Sequence, residues 1–278
     1  VISAIMKQQT TERGRIVLNE ALDIHAGSGI CLGENNFLEH FYRAAPIGIT
    51  VEGSNTLTRS LIIFAQGLNK SHPHIYNVLQ TILNDDEVEF SKEFKNIVKH
   101  SLNLYAKSFN IFSYPALDKQ IIDFACLTNF VALKGGSIKK EQMLSGDMAD
   151  IFGNLYLALS VQYFQNNNNV SFKLTHYIKS RLINENRIKI NKIIDNLGPE
   201  KYLLLHLKNN IKEISYEQEI DIFNEIMDNK NIIEKIKENI HVENNILADL
   251  EKANYLDKKS DVYKELKNKI IQVGEYKI

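Results

Sequence analysis

The sequence predicts an all-α protein. Apolar residues recur at the three- and four-residue spacing of amphipathic helices along most of the 278-residue chain. Glycine and proline, on which turns and strand edges depend, number only 13 and 4. Alternation of apolar and polar residues is nearly absent, and residues 47–51 are the single strand candidate. These three observations favour long helices joined by short polar breaks.

Charge and cysteine content narrow the classes of partner and compartment. The 33 Lys and Arg residues nearly balance the 34 Asp and Glu residues, so we expect no nucleic-acid partner. No window has the roughly 18 uncharged apolar residues of a membrane helix, which predicts a soluble chain. Cys31 and Cys126 lack metal or redox spacing. They indicate a reducing compartment and are expected to be small buried side chains.

The first helix is predicted over residues 3–24 and ends in a glycine loop at 26–29. Glycine permits the backbone angles that terminate a helix. The apolar pattern is already under way at Val1 with no capping residue before it, so we expect a further domain upstream.

A short helix over 37–43 and a polar loop at 51–55 follow, and Leu57 then opens a helix that Gly67 is predicted to close. A polar linker at 166–169 and a Gly198-Pro199 break divide the remaining helical tail. We predict a division into residues 1–84 and 85–278. Between these breaks the periodicity predicts helices at 75–83, 88–109, 117–133 and 140–164.

Glu52 is the most informative candidate for chemistry, since it precedes Gly53 and the start of a helix. It has two interpretations. It is either an ordinary loop acid favoured by the helix dipole, or a general base facing a ligand that Gly53 allows close to the backbone. In the second case Ser54, Thr56 and Thr58 offer hydroxyls to a polar cofactor.

Two segments of the chain resemble the acyl-CoA dehydrogenase family: DIHAGSGI at 23–30 and PIGITVEGSNTLTR at 46–59. Their order and spacing agree with the helix, glycine loop, short helix and Glu-Gly segment of that family. The chain is most similar to the long bacterial fatty-acid enzymes, which it also resembles in FAQG at 64–67 and LKGGSIKKEQMLS at 133–145. The resemblance covers about residues 1–165.

This resemblance implies the C-terminal helical bundle domain of such an enzyme, followed by an additional helical region. Glu52 would remove the α-proton of a fatty acyl-CoA while the β-hydrogen leaves to a flavin, and Glu52 and Gly53 would contact the substrate. The sequence departs from the family at Asp23, where many members have Gln, and at Ala26, where many have Gly. The residues that the resemblance assigns to FAD are Asp23, Gly27, Gly29, Ser54 and Thr56.

The resemblance also implies partners and a pathway. We expect fatty acyl-CoA as substrate in fatty-acid β-oxidation, an electron-transfer flavoprotein as acceptor, and a homo-oligomer. A cytoplasmic location is expected, with inner-membrane association of the full-length enzyme left open. The isolated chain is expected to be inactive, because the flavin site also needs domains that this chain lacks. The alternative is an all-helical docking module without catalysis.

Two further motifs are predicted to be structural. His72-Pro73-His74 has no third ligand at metal spacing, so we expect it to cap a helix and expect no metal site. Gly135-Gly136-Ser137 lacks the strand and the Gly-Lys-Ser/Thr ending of a phosphate loop, and a turn between two helices explains it.

Overall fold

A computed structural model describes residues 1–33, 36–109, 113–168, 170–238 and 246–274. The structure is 81% helical, with no strand among the described residues, as the sequence predicted. The long α-helices are α1 (Ile2–His25), α3 (Glu39–Thr50), α6 (Ile75–Leu83), α7 (Glu87–Ser108), α8 (Ala116–Ala132), α9 (Gln142–Asn167), α10 (Phe172–Asn196), α12 (Tyr216–Asp228), α13 (Lys230–Lys237), α14 (Ile246–Asn254) and α15 (Asp261–Gly274). The shorter ones are α2 (Gly27–Ile30), α4 (Asn55–Leu57), α5 (Gly67–Ser71) and α11 (Lys201–Leu204).

Three non-α segments complete the set. A π-helix over Thr58–Gln66 joins α4 to α5, so that one helical rod runs from Asn55 to Ser71. Short 3₁₀ helices occupy Gly135–Lys139 and Leu205–Leu207. The first is the predicted turn between α8 and α9, and Gly135 adopts there the positive φ of 55° that glycine tolerates.

The described chain divides into two compact units, a larger one of Val1–Met6 and Asn55–Lys235 and a smaller one of Lys7–Ser54 and Ile236–Ile278. In the larger unit α9 packs against both α10 and the π-helix. Apolar side chains such as Leu127, Met148 and Ile194 are fully buried there. In the smaller unit α14 packs against α15. The division at residue 84 stays a prediction.

Three details of the sequence interpretation are wrong. Residues 47–51 are not a strand, because α3 runs through Pro46 as far as Thr50, well beyond the predicted short helix. Gly67 does not close its helix. It has ordinary helical angles, and a Cβ at this position would lie 3.2 Å from Cγ2 of Val1, so its small size serves close packing. Cys126 is buried as expected, but Cys31 is exposed.

Candidate functional site

The loop after α1 turns at an alanine. Ala26 has φ 49° and ψ −129°, whereas Gly27 and Gly29 lack the positive φ that the sequence suggested for them. Gly29 is required for space, because a Cβ there would lie 2.9 Å from the carbonyl oxygen of Leu22. Gly27 has nothing within 4 Å of the corresponding position. The loop thus has an open backbone surface at Gly27 and a tightly packed one at Gly29.

Asn36 holds this loop in place. Its Nδ2 donates to the carbonyl oxygens of Gly29 and Cys31 at 2.6 and 3.2 Å, and its Oδ1 accepts from the backbone N–H of Glu39 at 3.0 Å. One buried amide therefore joins the glycine loop to the first turn of α3. Sequence reasoning missed this residue. The available signal was an Asn shortly before an acidic helix start, which is typical of a cap.

The second loop presents Glu52. Val51 ends α3, Glu52 adopts a left-handed φ of 55°, and Gly53 follows with φ 84°. Lys7 of α1 donates from Nζ to the carbonyl oxygen of Gly53 at 2.8 Å, which fixes the loop. The Glu52 side chain is exposed and forms no hydrogen bond or ion pair with the described residues. Its carboxylate is thus available at a position that the backbone determines.

The two loops attach to opposite ends of α1. Lys7 contacts the Glu52 loop, and the glycine loop follows His25 at the other end of the same helix. Lys7 and His25 are 18 positions apart, which corresponds to roughly 27 Å along the helix axis. Glu52 and Gly53 are therefore grouped with one end of α1, and the predicted residues Asp23, Gly27 and Gly29 with the other. Of the two remaining predicted residues, Ser54 is half-buried and Thr56 is exposed.

Arg59 begins an ion network that sequence reasoning missed. Its Nε and Nη2 donate to both carboxylate oxygens of Asp150 at 2.6 and 2.7 Å, and Nη2 also lies 3.2 Å from Oδ1 of Asp147. The hydrogen bond and charge of Asp150 raise the pKa of Arg59. Burial by itself would raise the pKa of Asp147, but its hydrogen bond with Lys192 and the charges of Lys189 and Lys192 lower it. The network fixes the π-helix against α9 and α10.

The first turns of α9 are shaped to receive this arginine. A Cβ at Gly146 would lie 2.5 Å from Nη1 of Arg59, so a larger residue at this position would displace the guanidinium. The buried Ser145 donates from Oγ to the carbonyl oxygen of Ser60, inside the π-helix. No local periodicity predicts these contacts, because the partners are more than 80 residues apart.

The histidine turn caps a helix, as predicted. Nδ1 of His72 accepts hydrogen bonds from the backbone N–H groups of His74 and Ile75 at 3.2 Å, at the start of α6. His100 of α7 lies beside this turn, with ring centroids 5.4 Å from His72 and 5.6 Å from His74. In the described part of the chain, no group of three or more His, Cys, Asp or Glu side chains has an arrangement that could hold a metal ion.

The described residues form an all-helical domain, which is the fold class that the sequence predicted. The family described as acyl-CoA dehydrogenase, C-terminal, bacterial type, matches residues 113–276, more than half of the chain. The chain belongs to this family, which confirms the resemblance. The matched region begins after Glu52 and the glycine loop, so the family match does not bear on the roles of those residues. No solved structure matches the chain.

Among the residues that the structure describes, no helix combines the length and apolar character needed to cross a bilayer.

Proposed function

We propose that this chain is the C-terminal part of a flavin-dependent acyl-CoA dehydrogenase that oxidises fatty acyl-CoA to trans-2-enoyl-CoA, with Glu52 as the base. The observation that carries the proposal is the conformation of Glu52. A glutamate with φ 55° is strained by about 1 kcal/mol or more, and such strain tends to occur at functional sites. Asparagine and aspartate adopt this region several times more often than other residues, as Asp85 does at φ 57°, but glutamate has no such preference.

Glu52 accepts the proton in this reaction. Its carboxylate breaks the Cα–H bond of the thioester, and the electron pair of that bond forms the new Cα–Cβ double bond as the β-hydrogen leaves with its own electron pair. FAD, when bound, supplies the acceptor for that β-hydrogen. Gly53 contributes a backbone without a side chain beside the thioester. Its φ of 84° also suits glycine, so close approach and turn geometry demand the same residue.

The residues of the glycine loop fit the outer part of a dinucleotide. Gly27 is exposed with open space around it, so a polar group can approach its backbone, and Asp23 is exposed one turn earlier. Ser54 and Thr56 would hold the flavin side through their hydroxyls. These residues supply hydrogen-bonding groups at the edge of a cofactor site but no apolar enclosure for a flavin ring. We infer that the isolated chain does not retain FAD and is inactive.

The separation of the two loops supports a homo-oligomer. Because roughly 27 Å of α1 lies between them, the Glu52 loop and the glycine loop of one chain are suited to two different cofactor sites. A second copy of the enzyme would then supply the glycine loop for each site. We further propose a role in fatty-acid β-oxidation in the cytoplasm, with an electron-transfer flavoprotein as the acceptor and inner-membrane association of the full-length enzyme left open.

One observation favours the alternative of a docking module. Ile16, Val17 and Ile24 of α1 expose 57, 65 and 84% of their surface. Several exposed apolar side chains on one helix are typical of an interaction surface. In an acyl-CoA dehydrogenase the further domains of the enzyme would cover such a face. In a docking module another protein would cover it, and Glu52 would have no chemical role. The two hypotheses therefore differ in what happens when Glu52 loses its charge.

The test replaces Glu52 by Gln in the full-length enzyme. Glutamine keeps the size of the side chain but cannot take a proton, so acyl-CoA should still bind while flavin reduction slows by about 10²–10⁴-fold. Anaerobic mixing with an acyl-CoA, followed by flavin bleaching, measures the reduction rate. The matched control is Asp85→Asn, because Asp85 is an exposed acid with nearly the same φ of 57°. Its reduction rate should equal that of wild type.

Rapid bleaching in Glu52→Gln would place the base elsewhere. Full-length protein that binds no flavin at all would favour the docking module. Stoichiometric flavin in the isolated chain would contradict the proposed need for further domains.

A further inference from the structure

Helix α12 exposes a continuous apolar stripe in the larger unit. Four large side chains form this stripe at intervals of four, three and four residues: Tyr216, Ile220, Phe223 and Met227. They expose 85, 59, 61 and 62% of their surface. The spacing places all four on one face over about three turns of helix. Because amphipathic helices normally bury such a face, the α12 stripe is an apolar surface that the described residues leave uncovered.

Helix α12 is attached to the larger unit through a different face. Ile222 is 9% exposed and lies on the side where α12 packs against α10. At the start of α12, Oγ of Ser215 accepts from the backbone N–H of Gln218 at 3.3 Å, and Oε1 of Gln218 accepts from that of Ser215 at 3.1 Å. This reciprocal cap fixes the first turn. The stripe therefore lies on a helix that is already formed and anchored.

The charges of α12 all have one sign. Its 13 residues include five acids and no Lys, Arg or His, and none of the five acids forms an ion pair with the described residues. Three exposed acids form an acidic flank, about a third of the way around the helix from the stripe: Glu217, Asp221 and Asp228. Lys173 of α10 lines a groove with Asp221 but does not pair with it. The acidic flank is thus available to a positively charged partner.

This charge excludes several occupants of the stripe. A second copy of α12 has no base to pair with the acids, and like charges across an interface oppose association. Anionic membranes and nucleic acids are also negative, and they attract basic segments. A partner strand is disfavoured because the backbone groups of α12 already pair within the helix and form no sheet edge. The remaining class is a protein helix with an apolar face and basic flanks.

We propose that α12 docks a basic amphipathic helix of another protein. Apolar side chains of that helix pack against the α12 stripe, and its Lys or Arg side chains pair with the acidic flank. Two helices pack by interdigitating rows of residues three and four apart, which is the spacing of the stripe. The partner needs about three turns to cover its length of roughly 16 Å. This inference goes beyond the function proposed for Glu52 and does not depend on it.

Titration of a synthetic helical peptide with the 278-residue chain tests the proposal. The fluorescein-labelled peptide has about 18 residues, with Leu at intervals of three and four and Lys on both flanks. Fluorescence anisotropy should give a dissociation constant of about 1–10 μM at low salt. The affinity should fall about ten-fold when NaCl rises from about 0.05 to 0.5 M.

Two control peptides separate charge from amphipathic pattern. One has Glu in place of every Lys, and the other keeps the Lys and Leu content but scrambles the Leu positions. Each should bind at least about ten-fold more weakly than the Lys peptide. Equal binding of the Lys and Glu peptides would overturn the proposal.

A double variant of the chain tests the stripe. Ile220→Ala with Phe223→Ala keeps the helix, because alanine favours it, and should weaken binding at least about ten-fold. The matched control is Phe94→Ala with Leu102→Ala, which truncates two side chains of α7 that are 52 and 64% exposed. Its affinity should equal that of wild type. Unchanged binding in the α12 double variant would overturn the proposal.

A triple variant tests the acidic flank. Glu217→Gln, Asp221→Asn and Asp228→Asn together should weaken binding about ten-fold and reduce its dependence on salt. The control neutralises three exposed acids on other helices and should change neither quantity: Glu87→Gln, Asp118→Asn and Glu265→Gln. Equal losses in the two triple variants would mean that the peptide responds only to net charge and would overturn the proposal.

Two further measurements distinguish the other occupants. Light scattering should show that the α12 double variant has the same oligomeric state as wild type. A wild-type chain that self-associates and becomes monomeric on these substitutions would make a second copy the occupant. The full-length enzyme should bind the Lys peptide with similar affinity. Loss of binding there would show that its own domains cover α12, and either result would overturn the proposal.

Discussion

Three buried side-chain amides tie together α8, α9 and α10, and Asn186 is the central one. Its Nδ2 donates to Oε1 of Gln120 at 2.9 Å, and its Oδ1 accepts from Nδ2 of Asn154 at 3.0 Å. Gln120 in turn donates to the carbonyl oxygen of Ile183 at 2.9 Å. All three amides are at most 5% exposed, so solvent cannot replace a lost partner.

Asn186→Leu should destabilise the chain by about 2 kcal/mol. The leucine has a similar shape but leaves Oε1 of Gln120 without its donor and removes one acceptor from Asn154, at about 1–3 kcal/mol for each lost partner. Burial of the leucine offsets about 1.5–3 kcal/mol of this loss. Asn154 keeps its contact with Glu185 at 3.1 Å, which limits its part of the loss. Urea unfolding followed by helical circular dichroism measures the difference, which corresponds to about 4–8 °C in Tm.

The triple variant Gln120→Met, Asn154→Leu, Asn186→Leu is the decisive comparison. Because it removes the amides together, few buried polar groups are orphaned, and its stability should return to that of wild type or exceed it. The changes in unfolding free energy caused by the three substitutions are therefore not additive. A triple variant less stable than Asn186→Leu would refute this account and show that the amides stabilise the chain directly. A stabilising single substitution would mean that Asn186 is not paired as described.

Two other stability predictions follow from buried polar groups. Thr128→Val should stabilise the chain by about 1 kcal/mol in urea unfolding, since it removes an unpaired hydroxyl, and a loss would mean that the hydroxyl has a partner. Burial lowers the pKa of His72, so the unfolded chain binds the proton first and stability falls as pH drops below about 6.5. His72→Asn keeps a capping acceptor but cannot titrate, and should reduce this slope. Asp123, whose pKa burial raises to about 6, acts in the opposite direction in both proteins. Identical pH profiles for the two proteins would contradict the assignment.

Helix positions were predictable because each depends on local spacing. The 75–83 prediction agrees with α6 at both ends, and α7, α8 and α9 begin and end within a few residues of their predicted bounds. The histidine turn was predictable for the same reason, since a cap involves near neighbours. Glycine was harder to interpret. At Gly67 and Gly146 its small size accommodates residues distant in sequence, Val1 and Arg59, and a single sequence does not reveal such partners.

The sequence predicted which two loops form the candidate site but could not predict their geometry. The two motifs indicated which loops matter, and both contain a non-glycine residue with positive φ. The motifs could not show which contacts hold the loops in place. Lys7 fixes the Glu52 loop and Asn36 fixes the glycine loop. Each contact joins two separate segments of the chain, and helical periodicity gives no information about such pairs. The amide network and the Arg59 network were missed for the same reason, because their partners lie on different helices.

Ala26 differs from the residue that the family resemblance implies, and its backbone is also strained. The family resemblance implies glycine at this position, and here φ 49° with ψ −129° is a conformation that essentially only glycine adopts without strain. Ala26→Gly should therefore stabilise the smaller unit by about 1 kcal/mol, the relief of strain outweighing the greater flexibility of glycine in the unfolded chain. Amide hydrogen exchange at the end of α1 measures the effect locally, and Ala21→Gly, within the same helix, should instead destabilise it by about 1 kcal/mol. Equal losses in both variants would mean that Ala26 does not hold the left-handed turn. An increase in stability in Ala26→Gly alone would show that the chain tolerates a strained alanine although the neighbouring Gly27 could adopt this conformation without strain.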